Sequence, residues 1–164
     1  MHRVTLLTGS NDASAREILH LAAQLLAERI GELEAASEIY SSEPWGFSAE
    51  RGFLNQALLF RSELEPLEVL DVALDVEQRV GRRRDEELRE KLSTGEKYAS
   101  RVVDIDVMFY DDRVIRSERL CVPHPLLHRR EFALRPLCEI MGDVCHPVLG
   151  IKLKDIDPER EYEI

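Results

Sequence analysis

The sequence predicts an α+β fold in which an antiparallel sheet carries helices on one face. Four apolar or β-branched runs indicate strands, and only two of the three gaps between them show helical periodicity. The gap between the second and third predicted strands is a polar loop that contains Pro44, Gly46 and Gly52. Since two strands joined without a helix pair antiparallel, this loop disfavours a doubly wound parallel sheet.

The first predicted strand covers residues 4–8 and is closed by the turn-forming tripeptide 9–11. Ser14 and Glu17 then form an S-x-x-E capping box, which predicts the start of a helix. Gly31 is the expected C-terminal cap of this helix. Its apolar residues recur at helical spacing and form one buried stripe: Ile18, Leu21, Ala22, Leu25, Leu26 and Ile30.

The second and third strands are predicted over residues 35–40 and 54–60. Pro66 suits the first turn of a second helix, where its missing N–H is not needed, and Gly81 is expected to end that helix. The residues expected on its buried face are Leu67, Leu70, Ala73, Leu74 and Val80.

The fourth strand is predicted over residues 102–110, which are rich in β-branched and aromatic side chains. Alternation along a strand places Asp104 and Asp106 on one face. The turn at 111–112 is expected to start a hairpin with residues 113–115. The residues expected on the opposite face of the strand are Ile105, Val107 and Phe109.

Prolines limit the remainder of the chain to short helical pieces; they are Pro123, Pro125, Pro136 and Pro147. The resulting order of elements is β-α-β-β-α-β with a C-terminal helical extension. This order predicts the ferredoxin-like arrangement of an antiparallel sheet.

Length and charge limit the classes of function. At 164 residues the chain is expected to form one domain over residues 1–164. The formal net charge of −10 argues against a nucleic-acid binder, because such binding requires neutralisation of phosphates. No apolar run is long enough to cross a bilayer, and the N-terminus lacks a signal-peptide pattern. Three cysteines without a C-x-x-C pair predict reduced thiols in a cytoplasmic protein.

Two aspartates on one strand indicate a site for a cation. Asp104 and Asp106 are about 6.6 Å apart along the strand, and like charges this close favour a bound cation. Arg101 precedes them and has the geometry to bind a phosphate through two hydrogen bonds. The alternatives are two solvated aspartates on an exposed face and an arginine that neutralises Asp104.

Several ordered segments resemble one enzyme family. Residues 97–108 read KYASRVVDIDVM and are similar to the signature of the 6-hydroxymethyl-7,8-dihydropterin pyrophosphokinases. GSN at 9–11, EPWG at 43–46 with Leu54-Asn55, and RLCVPH at 119–124 match the same family in order. The resemblance implies a ferredoxin-like fold and transfer of the terminal diphosphate of ATP to the hydroxymethyl group of a reduced pterin. It also implies two Mg²⁺ ions and a step in folate biosynthesis.

The resemblance assigns residues to the two substrates. The catalytic residues that it implies are Arg82, Arg101, Asp104 and Asp106, and the two aspartates are the implied Mg²⁺ ligands. The ATP-binding residues that it implies are Glu77, Arg82, Arg101, Arg119, His124 and Arg130. The pterin-binding residues that it implies are Pro44, Trp45, Gly46, Phe53, Asn55 and Phe132.

Each of these assignments has a simpler alternative. Arg83 or Arg84 could take the part of Arg82, and the whole basic cluster could be solvated. Phe53 and Phe132 could be core residues. Residues 82–100 are dense in charge and are expected to form a loop that closes over ATP.

Two other classes of protein share some of these features. A D-x-D nucleotide-sugar transferase also binds metal and diphosphate through paired aspartates, but it usually needs a larger nucleotide-binding domain. A non-catalytic ferredoxin-like domain could bind a small ligand, but it would not need the arginine, the aspartates and His124 together. The sequence favours a monomeric enzyme that binds ATP and 6-hydroxymethyl-7,8-dihydropterin.

Overall fold

The computed structural model describes residues 1–42, 52–92 and 102–163, with the backbone alone for residues 84–92. Of the predicted site residues, Pro44, Trp45, Gly46 and Arg101 lie outside the described residues. The strands are β1 (His2–Ser10), β2 (Gly31–Ala36), β3 (Tyr40–Ser42), β4 (Phe53–Ser62), β5 (Asp104–Tyr110), β6 (Ile115–Arg116) and β7 (Cys121–Val122). The α-helices are α1 (Ala15–Arg29), α2 (Pro66–Leu92) and α3 (Glu131–Met141).

The main sheet has the order β2-β4-β1-β5, and every neighbouring pair is antiparallel. β4 therefore lies between β1 and β2, which α1 connects, and β1 lies between β4 and β5, which α2 connects. This is the split β-α-β topology, so the predicted ferredoxin-like fold is confirmed. β3 extends the sheet by pairing with the first residues of β4.

Apolar side chains cover both faces of the sheet. Alternation sends Leu6 and Leu58 to the face that packs on α1 and α2, while Leu7 and Ala57 point the opposite way. The second face is covered by α3 and the C-terminal segment through buried residues, which are Leu127, Ala133, Leu134, Leu137, Leu153 and Ile156. The C-terminal extension is therefore a second layer on the face that the two crossover helices leave open.

The boundaries of the second strand differ from the predicted range of residues 35–40. Residues 35–40 do not form one strand, because β2 ends at Ala36 and β3 begins at Tyr40. Between them, three residues of this segment lie opposite two residues of β4, which is a bulge. Ser37 holds the bulge: its N–H donates to the carbonyl of Ala57, and its hydroxyl oxygen accepts the N–H of Ala57, each at 2.9 Å.

The ends of α1 differ in detail from the prediction. Ser14 occupies the N-cap position, but its side chain makes no capping hydrogen bond, so the predicted capping box is wrong. Asp12 instead accepts the backbone N–H of Ser14 at 2.9 Å. The C-cap is Ile30, and Gly31 starts β2 with φ of 152°. A Cβ at Gly31 would lie 1.9 Å from the carbonyl oxygen of Arg61, so the close strand pairing requires glycine there.

Helix α2 does not end at Gly81 as predicted. It continues to Leu92, so residues 82–92 are helical and not part of a loop; the rest of the expected loop, 93–100, lies outside the described residues. One glycine within a helix costs only about 1 kcal/mol, and Gly81 is buried directly after Val80, a residue of the helix's apolar face. That face is formed by Val69, Val72, Ala73, Val76 and Val80, whereas the predicted Leu67 and Leu74 are exposed.

A bulge in β5 changes the face of its last residues. The pairing with β1 shifts between Leu6 opposite Val107 and Thr5 opposite Phe109, so Met108 is an extra residue. Phe109 therefore packs with the α3 layer and not with Ile105 as predicted. The predicted hairpin with residues 113–115 is also wrong, because β6 pairs with β7.

All three cysteines are free thiols, as the sequence predicts. Among the described residues, no helix is long and apolar enough to cross a membrane.

A buried histidine lies beneath the C-terminal segment. His146 is 2% exposed, and its Nδ1 accepts the backbone N–H groups of Val148 and Leu149, both at 3.1 Å. Its ring meets the rings of Phe109 and His128 edge-on. Burial, with a smaller contribution from His128, lowers the pKa of His146 from 6.5 to about 4. The fold therefore holds this imidazole neutral.

We predict that acid destabilises the protein through His146. The unfolded state binds the proton below pH 6.5, and the folded state does so only near pH 4, so stability is lost as pH falls between these values. His146 should contribute roughly 2 kcal/mol to the decrease in the free energy of unfolding between about pH 7.5 and about pH 5, measured by urea unfolding. His146→Phe should remove most of this difference, and His20→Gln, at an exposed site on α1, should not. An undiminished pH dependence in His146→Phe would contradict the prediction.

Candidate active site

One row of residues crosses the end of the sheet. Tyr40 of β3 lies opposite Asn55 of β4, Asn55 opposite Gly9 of β1, and Gly9 opposite Asp104 of β5. Residues directly opposite each other project from the same face of a sheet. Alternation with Ala57 and Met108 identifies this face as the one covered farther along by α3. The strand register therefore brings an amide and a carboxylate to one end of one face.

Asn55 is a buried polar side chain at the centre of this row. It is 4% exposed, and within the described residues its Nδ2 has no hydrogen-bond partner. A buried amide donor without a partner is costly, which is typical of a group that binds a ligand. A Cβ on Gly9 would lie 2.6 Å from Oδ1 of Asn55, so only glycine leaves room for this amide.

The two predicted metal ligands share a face. Asp104 and Asp106 are both half-buried and alternate with the buried Ile105, as predicted. Among the described strands, β5 pairs with β1 alone, so its other edge needs partners from elsewhere. Glu77 of α2 supplies one, because its Oε2 accepts the backbone N–H of Ile105 at 2.8 Å. Glu77 therefore fixes the strand between the two carboxylates.

His124 joins the aspartates from the segment after β7. Its backbone N–H donates to the carbonyl of Met108 at 3.0 Å, which ties this segment to β5. Its Nδ1 accepts the N–H of Leu126 at 3.2 Å, so the neutral ring carries its proton on Nε2. Burial lowers the pKa of His124, the charge of Arg130 lowers it further, and the charge of Asp106 opposes both. Asp106 and Arg130 thus both lie within electrostatic reach of His124.

Two aromatic rings occupy the same end of the molecule. Phe53 begins β4, two residues before Asn55 and on the same face, and is 38% exposed. Phe132 is half-buried in the first turn of α3, with the guanidinium carbon of Arg130 5.6 Å from its ring centroid. Neither ring is fully buried, although Phe132 also packs against the α3 layer.

Two predicted arginines lie on the surface. The Nη2 of Arg119 is 2.5 Å from Oδ1 of Asp71 on α2, and both side chains are exposed. Arg82 and its neighbour Arg83 are exposed residues of α2. The structure therefore brings together Glu77, Asp104, Asp106, His124 and Arg130, and it places Arg82 and Arg119 outside this group.

Sequence patterns missed two residues that build the site. Gly9 and Ser10 belong to β1 and not to a turn after it. The hydroxyl of Ser10 donates to the carbonyl of Val102 at 2.6 Å and accepts the N–H of Asp12 at 3.2 Å, so it fixes the chain just before Asp104. A glycine at the end of an apolar run was the available signal, because glycine in a strand often indicates close approach of another group.

The donor set fits Mg²⁺ bound together with phosphates. Among the described residues, no group of three or more His, Cys, Asp or Glu side chains could enclose a metal ion. Mg²⁺ commonly uses one or two carboxylates and takes its other ligands from water and phosphate oxygens. Asp104 and Asp106 supply such a pair of oxygen ligands.

The fold and the site define a small α+β protein with paired carboxylates and basic groups at one end of an antiparallel sheet, an arrangement suited to phosphate chemistry. Residues 5–142 match the family described as 7,8-dihydro-6-hydroxymethylpterin-pyrophosphokinase (HPPK). The 2-amino-4-hydroxy-6-hydroxymethyldihydropteridine pyrophosphokinase of Aquifex aeolicus is 38% identical over 160 residues, which are 98% of this chain and 93% of that protein. The Porphyromonas gingivalis protein of the same name is 33% identical over 84% of this chain and 89% of its own length. The chain belongs to the HPPK family.

Solved structures share the fold. A Plasmodium falciparum HPPK-DHPS triple mutant superposes with a TM-score of 0.70 at 14% identity and covers 94% of this chain. An HPPK-DHPS structure in complex with substrates gives a TM-score of 0.68 at 12% identity. This chain spans 42% of the length of each of those chains. Family membership favours a pyrophosphokinase over a nucleotide-sugar transferase or a non-catalytic ligand-binding domain.

We predict that Glu77 stabilises the strand that carries both aspartates. Glu77→Ala leaves the N–H of Ile105 without its acceptor and should lower the free energy of unfolding by about 1–2 kcal/mol. Amide hydrogen exchange at Ile105 should become faster in the same variant. Gln78→Ala, at the exposed neighbouring position, is the matched control. Unchanged exchange at Ile105 in Glu77→Ala would show that the contact does not hold the strand.

Proposed function

We propose that this protein transfers the terminal diphosphate of ATP to the hydroxymethyl group of 6-hydroxymethyl-7,8-dihydropterin. The products are AMP and the pterin diphosphate, and the reaction is a step in folate biosynthesis. Family membership over residues 5–142 supports the reaction. The site assignment rests on the row of paired residues Tyr40, Asn55, Gly9 and Asp104, here called the register row. In this row the buried amide of Asn55 lies two strands from Asp104 on one face of the sheet.

The pterin would bind over the β4 end of the row. A pterin edge has both donors and acceptors, and the amide of Asn55 offers both as well. Phe53 and Phe132 would lie against the two faces of the flat ring. By resemblance of sequence alone, Pro44, Trp45 and Gly46 complete the wall of this pocket.

The triphosphate would bind over the β5 end. Asp104 and Asp106 would hold two Mg²⁺ ions, and bound Mg²⁺ supplies neutralisation of the phosphate charge. The Nε2–H of His124, which lies near Asp106, and the guanidinium of Arg130, which lies near His124, can donate hydrogen bonds to phosphate oxygens. Arg101 has the same part by resemblance. These groups stabilise the charge that the leaving AMP gains.

The reaction requires alignment more than acid–base chemistry. The pterin hydroxyl oxygen forms a bond to the β-phosphorus of ATP while the bond from that phosphorus to the α,β-bridging oxygen breaks. The hydroxyl proton leaves to solvent, and AMP keeps the bridging oxygen. The protein contributes by holding the pterin through Asn55 and the phosphates through the groups around Asp106, so that the reacting atoms are in line.

The other predicted ATP contacts need rearrangement or act indirectly. Arg119 would have to leave Asp71 to reach a phosphate, and Arg82 would act from the surface of α2. Glu77 would act on ATP through the strand that it holds. The single domain, the cytoplasmic location, the monomeric state and the lack of nucleic-acid binding stay predictions.

We predict equal amounts of AMP and pterin diphosphate when ATP, Mg²⁺ and the pterin are supplied, as measured by phosphorus NMR. Asp104→Asn and Asp106→Asn should each reduce kcat by about 10²–10³-fold, because each removes a preorganised charge next to the phosphates. Asp112→Asn, in an exposed turn, is the matched control. ADP with a pterin monophosphate would contradict the proposed reaction, and full activity of both aspartate variants would contradict the proposed metal site.

A further inference from the structure

Glu139 of α3 connects two elements that border the proposed pterin site. Its Oε1 accepts the hydroxyl of Tyr40 at 2.6 Å, and its Oε2 accepts the backbone N–H of Glu38 at 2.9 Å. The guanidinium carbon of Arg135 lies 5.1 Å from the ring centroid of Tyr40. One carboxylate therefore binds both the first residue of β3 and the segment just before it.

Tyr40 leads directly to the proposed pterin-binding amide. It is the residue opposite Asn55 in the β3–β4 ladder, so the two side chains project from the same face. The bulge at Ser37 comes immediately before this pair, which means that strand pairing with β4 is interrupted on one side of Tyr40. The contact with Glu139 adds an anchor between the hydrogen bonds of Ser37 with Ala57 and the ladder that starts at Tyr40.

The same face of α3 carries the second wall of the proposed pocket. Phe132, Arg135 and Glu139 are spaced by three and four residues, so they form one stripe along the helix. Glu139 and Arg135 contact the segment of Tyr40, and Phe132 lies two turns away, at the start of the helix. The position of the helix against β3 thus sets the position of Phe132 relative to Asn55.

We propose that Glu139 is a positioning residue for the pterin. By holding α3 against β3, it fixes the gap between Phe132 on the helix and Asn55 with Phe53 on β4. This inference rests on the proposed function, because it assumes that the pterin occupies this gap. The effect should be larger for the pterin than for ATP, because two of the phosphate-side elements are held by other contacts: the backbone of His124 on Met108, and Glu77 on Ile105. Arg130, at the N-cap of α3 and next to Phe132, is the phosphate-binding group that the helix itself carries.

The hydrogen bond from Tyr40 to Glu139 changes the pKa of the tyrosine, which ultraviolet absorbance can measure. The contact with Glu139 is the main reason that the pKa of Tyr40 is raised above 10. The phenol therefore stays protonated and continues to donate across the neutral range. Loss of the carboxylate should bring the ionisation of this tyrosine to lower pH.

The test compares pterin and ATP binding in variants of the whole protein. Glu139→Ala should weaken pterin binding by about three- to tenfold in calorimetry, the effect of losing one or two exposed hydrogen bonds, and should weaken binding of Mg²⁺-ATP clearly less, through Arg130 at the start of α3. Glu139→Gln keeps an acceptor for Tyr40 and should restore part of the loss. Tyr40→Phe should weaken pterin binding in the same direction, and combining it with Glu139→Ala should add little. Glu28→Ala, an exposed glutamate on α1, is the matched control.

Asn55→Ala separates failure of the inference from failure of the proposed site. If Asn55→Ala loses pterin affinity and Glu139→Ala does not, Glu139 has no positioning role although the pterin site stands. If neither variant affects pterin affinity, the pterin binds elsewhere and the proposed site is wrong. Equal losses of pterin and ATP affinity in Glu139→Ala, together with a lower unfolding midpoint, would show a general structural role and overturn the inference.

Discussion

The register between β4, β1 and β5 is the constraint on which the site depends. It sets Asn55 opposite Gly9 and Gly9 opposite Asp104, so two chemically different groups share one face at one end of the sheet. A shift by one residue in either pairing would turn Asn55 or Asp104 to the face that packs on α1 and α2. The register itself is fixed by packing, because the same shift would remove Leu6, Leu58 and their neighbours from the core that they form against α1 and α2. The hydrophobic core thus determines the geometry of the polar site.

The two faces of the sheet have different roles: one forms the main hydrophobic core, and the other carries the proposed binding site. One face packs against α1 and α2. The other is buried only where α3 and the C-terminal segment cover it, and beyond that cover lie Asn55, Asp104 and Asp106. Asp104 and Asp106 at this border are half-buried and Asn55 is buried, which favours ligand contacts because burial strengthens hydrogen bonds and charge interactions. The α3 layer therefore forms part of the proposed pocket as well as part of the core.

Much of this arrangement could be predicted from the sequence, because strong local patterns agreed with the fold. The strand at residues 54–60, the stripe on α1 and the alternation of Asp104, Ile105 and Asp106 all follow from periodicity and burial. The failures arose where long-range contacts decided the structure. Gly81 is a typical helix end by local pattern, but α2 continues through it to Leu92. The bulge at Ser37 depends on its partner Ala57, about twenty residues away, which no local pattern reveals.

The candidate site was predictable in its residue types and less so in its contacts. Family resemblance named Asn55 and Asp104, but it gave no reason for Gly9 to be a glycine and did not point to Glu139. The contact of Arg119 with Asp71 was also out of reach, since it joins exposed side chains of two separate elements. Contacts between separate helices and strands depend on how these elements pack, and the spacing of residues along the chain does not reveal that packing.

We propose that the side-chain amide of Asn55 forms hydrogen bonds with the edge of the pterin. The chain has two asparagines, Asn55 and the exposed Asn11, so labelling with ¹⁵N-asparagine gives two side-chain NH₂ signals in an NMR spectrum. Saturating 6-hydroxymethyl-7,8-dihydropterin should shift the Asn55 NH₂ signals and slow their exchange with water, because Nδ2, which has no hydrogen-bond partner in the described part of the chain, gains an acceptor. The Asn11 signals should change little. Unchanged Asn55 NH₂ signals at a pterin concentration that supports full turnover would contradict the claim.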